Sequence, residues 1–136
     1  MKIVKIFKEK NIRVTPQRIG IYEVLKKAKR HLTAEEIYEK ITEKFPALSL
    51  ATVYSVLGIF KEKNLIREIR IIPEKSYFDI HIENHHYFLC RMCGGIYDIN
   101  IPFCTTLKER EIAGCLIENF QSYFYGICKE CRGNKR

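Results

Sequence analysis

The 136-residue sequence has no apolar run that approaches the roughly 18 residues needed to cross a membrane. It has no basic-then-apolar leader, so we expect a cytoplasmic protein that is not secreted. Without such a leader, the six cysteines are better explained as metal ligands and thiols than as disulfides. No internal repeat or low-complexity segment appears, and 46% apolar with 29% charged residues indicates a globular chain.

The positive charge of the chain is concentrated in its first part. Residues 1–80 contain 17 Lys and Arg against 10 Asp and Glu, whereas residues 81–136 contain 7 against 6. This asymmetry accounts for most of the net charge of +8 and suits a polyanionic partner, nucleic acid before a membrane surface. Lys and Glu residues that only solvate helices would explain the charge equally well, so charge alone does not decide the partner.

Residues 1–80 carry the signals of three helices followed by a β-hairpin. Each predicted helix begins with an N-cap motif: Thr15-Pro16, the capping box of Thr33 and Glu36, and Ser49. After the third helix, the β-branched stretch 65–72, a turn at 73–76 and a second strand at 77–80 predict the hairpin. This order predicts a winged-helix domain, whose third helix enters the major groove of DNA.

The third predicted helix has two chemically different faces. One face is apolar and predicts core packing, through Val53, Val56, Leu57 and Phe60. The opposite face carries Thr52 and Ser55, and Tyr54 lies on its flank. Small hydroxyl side chains beside a tyrosine are poor core material but suit contacts with base edges and phosphates. This face therefore predicts a DNA-reading surface, with ordinary core packing as the alternative.

Residues 81–136 alternate strand signals with one helix. The polar stretch 81–84 predicts a hinge. Strands are expected near 87–90, 96–99 and 115–125, and a helix is expected near 105–113. We therefore predict an α+β protein with a winged-helix DNA-binding domain over 1–80, the hinge, and a small α/β metal-binding domain over 85–136.

Two Cys-x-x-Cys motifs are the sharpest signal in the sequence: Cys90 with Cys93, and Cys128 with Cys131. Two residues between cysteines let both thiolates of a tight turn reach one tetrahedral ion, and two such turns supply four sulfurs. Four thiolates predict a closed, structural Zn(II) site. The alternatives are a rubredoxin-like iron centre and a redox pair, which would make the chain a dithiol oxidoreductase. The remaining Cys104 and Cys115 are predicted to be small buried side chains.

A softer cluster of ligand residue types precedes the first cysteine pair. Three of the four histidines lie within 81–86, Asp79 and Asp98 flank them, and His31 stands at the start of the second predicted helix. Imidazole with carboxylate is a borderline ligand set that suits Fe(II), Mn(II), Zn(II) or Ni(II). Spacing alone favours a metal site here no more than it favours exposed histidines of a hinge.

Taken together, these motifs resemble the ferric uptake regulator family of metal-dependent transcription factors over nearly the whole chain. The matching segments are RVTPQR at 13–18, HLTAEEIY at 31–38, SLATVY at 49–54, NLI at 64–66, YFD at 77–79, the Cys90-x-x-Cys93-Gly94 motif, Asp98, and YGIC-x-x-C at 125–131. The resemblance implies a homodimer that binds an inverted-repeat DNA operator. A regulatory metal would lock the DNA-binding half to the second half, which serves dimerisation.

The resemblance also assigns roles to individual residues. The four cysteines match the structural zinc of the family, and its regulatory site for Fe(II) or Mn(II) matches His31, Asp79, His85 and Asp98. An aspartate at position 98 is similar to the pattern of the peroxide-sensing branch of the family. In that branch Fe(II) and peroxide oxidise ligand histidines, and the matching histidines of this chain are His31 and His85. DNA contacts are predicted at Arg13, Gln17, Arg18, Ser49, Thr52, Tyr54 and Ser55, of which Tyr54 matches the DNA-reading tyrosine of the family.

Several positions depart from the family pattern. Tyr87 stands where the family has a second histidine, for which His81 or His86 could substitute. Ser55 stands in place of an arginine, and Thr105 and Phe120 replace ligands of an auxiliary metal site. These changes leave the expected fold and DNA binding intact, and they leave open which metal is used and whether peroxide is sensed.

We therefore expect a metal-dependent repressor and not an enzyme. The alternative hypothesis is a zinc-stabilised winged-helix interaction module of a transcription complex, whose histidines bind no metal. The two hypotheses differ in whether a second metal ion binds each chain and changes its affinity for DNA.

Overall fold

The computed structural model describes residues 2–28, 30–80, 86–99, 111–116 and 122–134. Over these residues the fold is α+β, as predicted, and the chain divides into two compact units, 1–82 and 83–136. The predicted hinge over 81–84 lies outside the described residues. No helix of the described part is long and apolar enough to cross a membrane.

The described residues of the first unit form four helices and three short strands. Their bounds are α1 (Lys2–Glu9), α2 (Pro16–Lys27), β1 (Leu32–Thr33), α3 (Ala34–Ile41), α4 (Leu50–Glu62), β2 (Arg67–Ile72) and β3 (Lys75–Asp79). The strands form an antiparallel sheet in the order β1-β3-β2. Helices α2 to α4 followed by the β2–β3 hairpin confirm the predicted winged helix.

All three predicted N-caps are present. In each helix a hydroxyl oxygen accepts a hydrogen bond from the amide three residues later, which satisfies a donor that the first turn leaves unpaired. The pairs are Thr15 with Arg18, Thr33 with Glu36, and Ser49 with Thr52. The Glu36 carboxylate also accepts from the Thr33 amide, which completes the capping box. These local bonds fix where α2, α3 and α4 begin.

The core of the first unit lies between its helices. The predicted apolar face of α4 is buried, and Phe60 from this face contacts the rings of Phe7 and Tyr22 at centroid distances of 5.5 and 6.1 Å. Phe7 belongs to α1, a helix that the sequence analysis did not predict. Its eight residues have no N-cap signal and bury only Ile3 and Phe7, so the local pattern was too short to identify.

The described residues of the second unit form two small sheets and one short helix. Their bounds are β4 (His86–Cys90), β5 (Ile96–Ile99), β6 (Glu111–Ile112), β7 (Cys115–Leu116), β8 (Ser122–Gly126) and α5 (Lys129–Asn134). β4 is the central strand of the sheet β5-β4-β8, antiparallel to β5 and parallel to β8. The parallel register pairs Cys90 with Gly126, so both cysteine motifs begin at the same edge of this sheet.

The helix predicted near 105–113 is wrong at its end. Glu111 and Ile112 form strand β6, which pairs with β7. Ala113 and Gly114 connect the strands with φ angles of 53° and 79°, the paired left-handed conformation of a tight hairpin turn. Residues 105–110 lie outside the described residues. The hairpin overrides the local helix preference, because pairing with β7 satisfies the backbone hydrogen-bonding groups of residues 111–112.

One carboxylate links α4 to the β-hairpin. Glu68 on β2 accepts hydrogen bonds from Lys61 Nζ at 2.6 Å, from Arg70 Nε at 3.1 Å and from the Ser76 hydroxyl. Burial raises the pKa of the Glu68 carboxyl, but these three donors outweigh burial and hold the pKa at about 2. Ser76 lies on β3, so this carboxylate joins the last turn of α4 to both strands of the hairpin.

Glu68→Gln is expected to lower the free energy of unfolding by about 1 kcal/mol at neutral pH, a modest value because Lys61 and Arg70 are largely exposed. The folded-state pKa lies below the ordinary value of 4.5, so the contribution is complete above that pH and is lost as the pH falls towards 2. Urea denaturation of zinc-loaded wild type and variant should therefore show a deficit that shrinks below about pH 4.5. The exposed Glu62→Gln serves as control. A loss of unfolding free energy in Glu68→Gln that is equal above and below pH 4.5 contradicts the role assigned to the Glu68 carboxylate.

Candidate metal centre and nucleic-acid interface

The four predicted cysteine ligands come together in the second unit. Their Sγ atoms all lie within 4.8 Å of one another, and the Cys93 and Cys128 sulfurs are 3.9 Å apart. Four sulfurs placed about 2.3 Å from a tetrahedral zinc ion would be separated by about 3.8 Å. The cluster therefore has the size and donor chemistry of a structural zinc site.

Backbone amides surround the cysteine sulfurs. The amides of Cys93 and Cys128 donate to Cys90 Sγ at 3.5 and 3.3 Å, and the Gly95 amide donates to Cys93 Sγ at 3.4 Å. The amide of Cys93, followed by that of Cys128, lowers the pKa of the Cys90 thiol to about 6 despite its burial. The turn thus favours the thiolate, which is the form that binds zinc.

Backbone bonds also hold the two cysteine turns in place. Gly94 has a φ of 73°, a left-handed conformation that lets its amide return to the Cys90 carbonyl at 2.9 Å. The Arg91 amide donates to the Gly126 carbonyl at 2.8 Å, which continues the β4–β8 pairing into the first turn. The sheet therefore brings the two motifs together.

Tyr97 is a residue of this site that the sequence analysis missed. Its hydroxyl lies 3.5 Å from Cys93 Sγ and 3.7 Å from Cys128 Sγ. Hydrogen bonding to Cys93, and next to Cys128, raises the pKa of the Tyr97 hydroxyl well above its ordinary value. The sequence places Tyr97 four residues after Cys93, but only strand pairing brings its hydroxyl to both motifs.

The prediction of small buried side chains is wrong for Cys115 and stays untested for Cys104. Cys115 is exposed on β7, because a two-stranded hairpin offers little surface against which to bury a side chain. Cys104 lies outside the described residues, as do the auxiliary-site positions Thr105 and Phe120.

Two predicted ligands of the regulatory site come together in the first unit. The pairing of Leu32 with Phe78 places His31 beside Asp79, with His31 Nδ1 3.9 Å from Asp79 Oδ1. Both side chains are well buried, at 11% and 3% exposure. Asp98 is an exposed residue of β5 in the second unit. His81 and His85 lie outside the described residues.

The structure also describes Tyr87, which replaces a histidine of the family pattern, and its neighbour His86. Tyr87 is fully buried in the second unit, where its ring lies 6.2 Å from that of Tyr123. His86 is half-buried on the same strand, 6.2 Å from the ring of Phe124. Tyr87 therefore fills part of the core.

Five of the seven predicted DNA contacts line one concave surface of the first unit. They are Gln17, Arg18, Ser49, Thr52 and Ser55, and Lys44 lies on the same surface. Arg18 is anchored there by a hydrogen bond from Nη1 to the Arg13 carbonyl at 3.1 Å. Tyr54 is 47% exposed on α4, and its hydroxyl donates to Glu35 at 2.6 Å. Cationic and hydroxyl groups around a helix N-terminus suit phosphate contacts.

A winged helix joined to a four-thiolate unit defines a class of DNA-binding regulators, and comparison with known proteins identifies the family. Residues 9–125 match the model of the Ferric uptake regulator family. The chain is 34% identical over 130 residues to the "Peroxide operon regulator" of Bacillus subtilis, covering 94% of this chain and 90% of that protein.

Two solved structures are similar over most of the chain. The ferric uptake regulator from Francisella tularensis with iron has a TM-score of 0.74 at 25% identity, covering 89% of this chain and 95% of that one. The Vibrio cholerae ferric uptake regulator has a TM-score of 0.72 at 29% identity, covering 91% and 98%. This chain belongs to the ferric uptake regulator family, whose members are dimeric DNA-binding regulators, and it is a metal-dependent transcriptional repressor.

Cys93→Ser is expected to reduce the zinc content from about one ion per chain to near zero and to unfold the second unit, because three sulfurs leave a structural site incomplete. Zinc content is measured by inductively coupled plasma mass spectrometry, and folding is measured by near-ultraviolet circular dichroism. The matched control is Cys115→Ser, which removes an exposed thiol outside the cluster and should keep full zinc content. Full zinc retention in Cys93→Ser would overturn the four-cysteine assignment.

Proposed function

We propose that a regulatory Fe(II) or Mn(II) ion held by His31, Asp79, His85 and Asp98 switches DNA binding by this repressor. The observation behind the proposal is the pairing of His31 with Asp79, which are far apart in sequence and meet through the β1–β3 register. A well-buried imidazole and carboxylate that lie this close together form part of a ligand set that suits a divalent cation.

The donor set fits the proposed metal. One imidazole and one carboxylate already lie together in the first unit, and such mixed N and O ligands suit Fe(II) and Mn(II). His85 and Asp98 are assigned by the family resemblance, and Asp98 would supply its carboxylate from the second unit. Tyr87 occupies the position of a second histidine ligand in the family, and we propose that His81 or His86 replaces that ligand here.

The switch requires the ion to bind the DNA-competent form more tightly than the other form. That difference in metal affinity shifts the population towards the competent form, and by linkage DNA raises the affinity for the metal. Ligands drawn from both units would provide such a difference, because the set would be complete in the DNA-competent form alone. In the cytoplasm, a homodimer would then present two copies of α4 to the half-sites of an inverted repeat.

On the DNA side, the concave surface around the start of α4 would make the contacts, together with Arg13 and Tyr54. Arg13, Arg18 and Gln17 would approach the phosphate backbone, and Ser49, Thr52, Tyr54 and Ser55 would approach base edges and flanking phosphates. The basic excess of residues 1–80 would raise the rate of association with DNA. This function requires no catalytic group, and we propose that the chain is not an enzyme.

His31→Ala is expected to abolish the rise in DNA affinity that Mn(II) produces, a rise that should be roughly tenfold or more. Binding is measured by fluorescence anisotropy under anaerobic conditions, with an inverted-repeat DNA selected from a random pool by the Mn(II)-loaded protein. Arg18→Ala is the matched comparison, because it should weaken binding at every Mn(II) concentration and reduce the salt dependence by about one phosphate contact.

Each outcome of this titration has one meaning. If wild-type protein binds the selected DNA equally well with and without Mn(II), the switch is refuted and the DNA-binding role remains. If no second metal binds, the zinc-stabilised interaction module becomes the better explanation. The zinc content of both variants, measured in parallel, separates these outcomes from loss of the structural site.

We further propose that peroxide is a signal for the iron-loaded protein. The Bacillus subtilis relative is a "Peroxide operon regulator", and relatives in Staphylococcus are named peroxide-responsive repressors. Hydrogen peroxide should add one oxygen atom, about 16 mass units, to His31 or His85 of Fe(II)-loaded protein, and DNA affinity should fall with it. Peptide mass spectrometry measures the addition. The Mn(II)-loaded protein is the control, and equal oxidation with Mn(II) would contradict an iron-dependent response.

A further inference from the structure

The Tyr97 hydroxyl links the two cysteine motifs. Tyr97 lies on β5, and its hydroxyl is within hydrogen-bonding distance of Cys93 Sγ in the first motif and of Cys128 Sγ in the second. A phenol has one proton and donates to one sulfur at a time, so the two thiolates share this donor. The backbone amides of the motifs donate to Cys90 and Cys93, whereas Cys128 accepts a hydrogen bond from the Tyr97 hydroxyl.

Gly95 makes room for this hydroxyl. A Cβ atom built on Gly95 would lie 2.7 Å from the Tyr97 hydroxyl oxygen and 2.9 Å from the ring carbon that carries it. Unlike Gly94, Gly95 does not have a positive φ, so its backbone conformation does not require glycine. The missing side chain therefore serves the close approach of Tyr97.

We propose that Tyr97 is a positioning residue for the structural zinc, whose hydroxyl donates to the thiolates of Cys93 and Cys128 and lowers their reactivity towards electrophiles. A hydrogen bond to a thiolate withdraws electron density from the sulfur, so that the sulfur attacks electrophiles more slowly while it stays bound to zinc. Cys93 is exposed and is the ligand that reagents reach most readily. The shared donor thus protects the exposed part of the site.

Tyr97→Phe removes the donor and keeps the ring. In the zinc-loaded full-length protein, this variant should release zinc about tenfold faster than wild type when iodoacetamide alkylates the cysteines, within the range found for groups that contact metal ligands. A chromogenic zinc chelator in the assay reports the rate. Tyr125→Phe is the matched control, because it removes the hydroxyl of a largely exposed tyrosine on β8 and should leave the rate unchanged.

Gly95→Ala tests the same contact from the other side. The added methyl group should displace the Tyr97 hydroxyl and produce a similar acceleration, and the double variant should be no faster than either single one because both remove one interaction. Gly133→Ala is the matched control, since a Cβ atom at Gly133 meets nothing within 4 Å. Additive effects in the double variant would show that Gly95→Ala disturbs the turn by itself, and they would overturn the role assigned to Gly95.

Cobalt substitution separates this role from a purely structural one. In Tyr97→Phe loaded with Co(II), the sulfur-to-cobalt charge-transfer band should move to lower energy, because thiolates without the hydrogen bond donate charge more readily. Unchanged band position and unchanged zinc release in Tyr97→Phe would overturn the proposal. Zinc content is measured first, so that failure of the four-cysteine site itself is distinguished from failure of the Tyr97 assignment.

Discussion

The closure of two Cys-x-x-Cys turns around one ion is the constraint on which the second unit depends. Of the hydrophobic side chains that are buried in the described structure, only Tyr87, Cys90, Ile96 and Cys128 belong to this unit, and two of these are cysteines of the four-sulfur cluster. The few apolar side chains buried in the described part of this unit offset little of the conformational entropy that folding costs. Zinc binding, on the order of 10 kcal/mol in comparable sites, would add directly to the folding free energy of this unit.

The first unit is built on a different principle, and the difference suits a switch. Its aromatic cluster, its capped helices and its three-stranded sheet provide a core of apolar contacts that needs no metal. In the proposed mechanism, an ion at His31 and Asp79 is therefore able to bind and leave without unfolding the domain that touches DNA. In this mechanism the structural ion would stay bound, whereas the regulatory ion would exchange. Thiolates and a histidine–carboxylate set meet these opposite requirements.

The sequence predicted those parts of the fold that depend on interactions between residues close together in the chain. The caps at Thr15, Thr33 and Ser49, the apolar face of α4 and the cysteine spacing each depend on a few neighbouring residues. Features decided by tertiary pairing were missed or predicted wrongly. α1 is helical because Phe7 packs on Phe60, and residues 111–112 are a strand because they pair with β7. Neither partner is visible in the local pattern.

The same distinction explains why the ligands were predicted and their environment was not. Cysteine spacing names the four sulfurs, but the Tyr97 hydroxyl reaches them only because β5 pairs with β4 and Gly95 has no side chain. This environment matters most if the protein senses peroxide. Thiolates are themselves oxidised by peroxide, so a sensor that contains four of them must keep them less reactive than its regulatory site. Hydrogen bonds to the sulfurs from amides and from Tyr97 would provide that difference within one small unit.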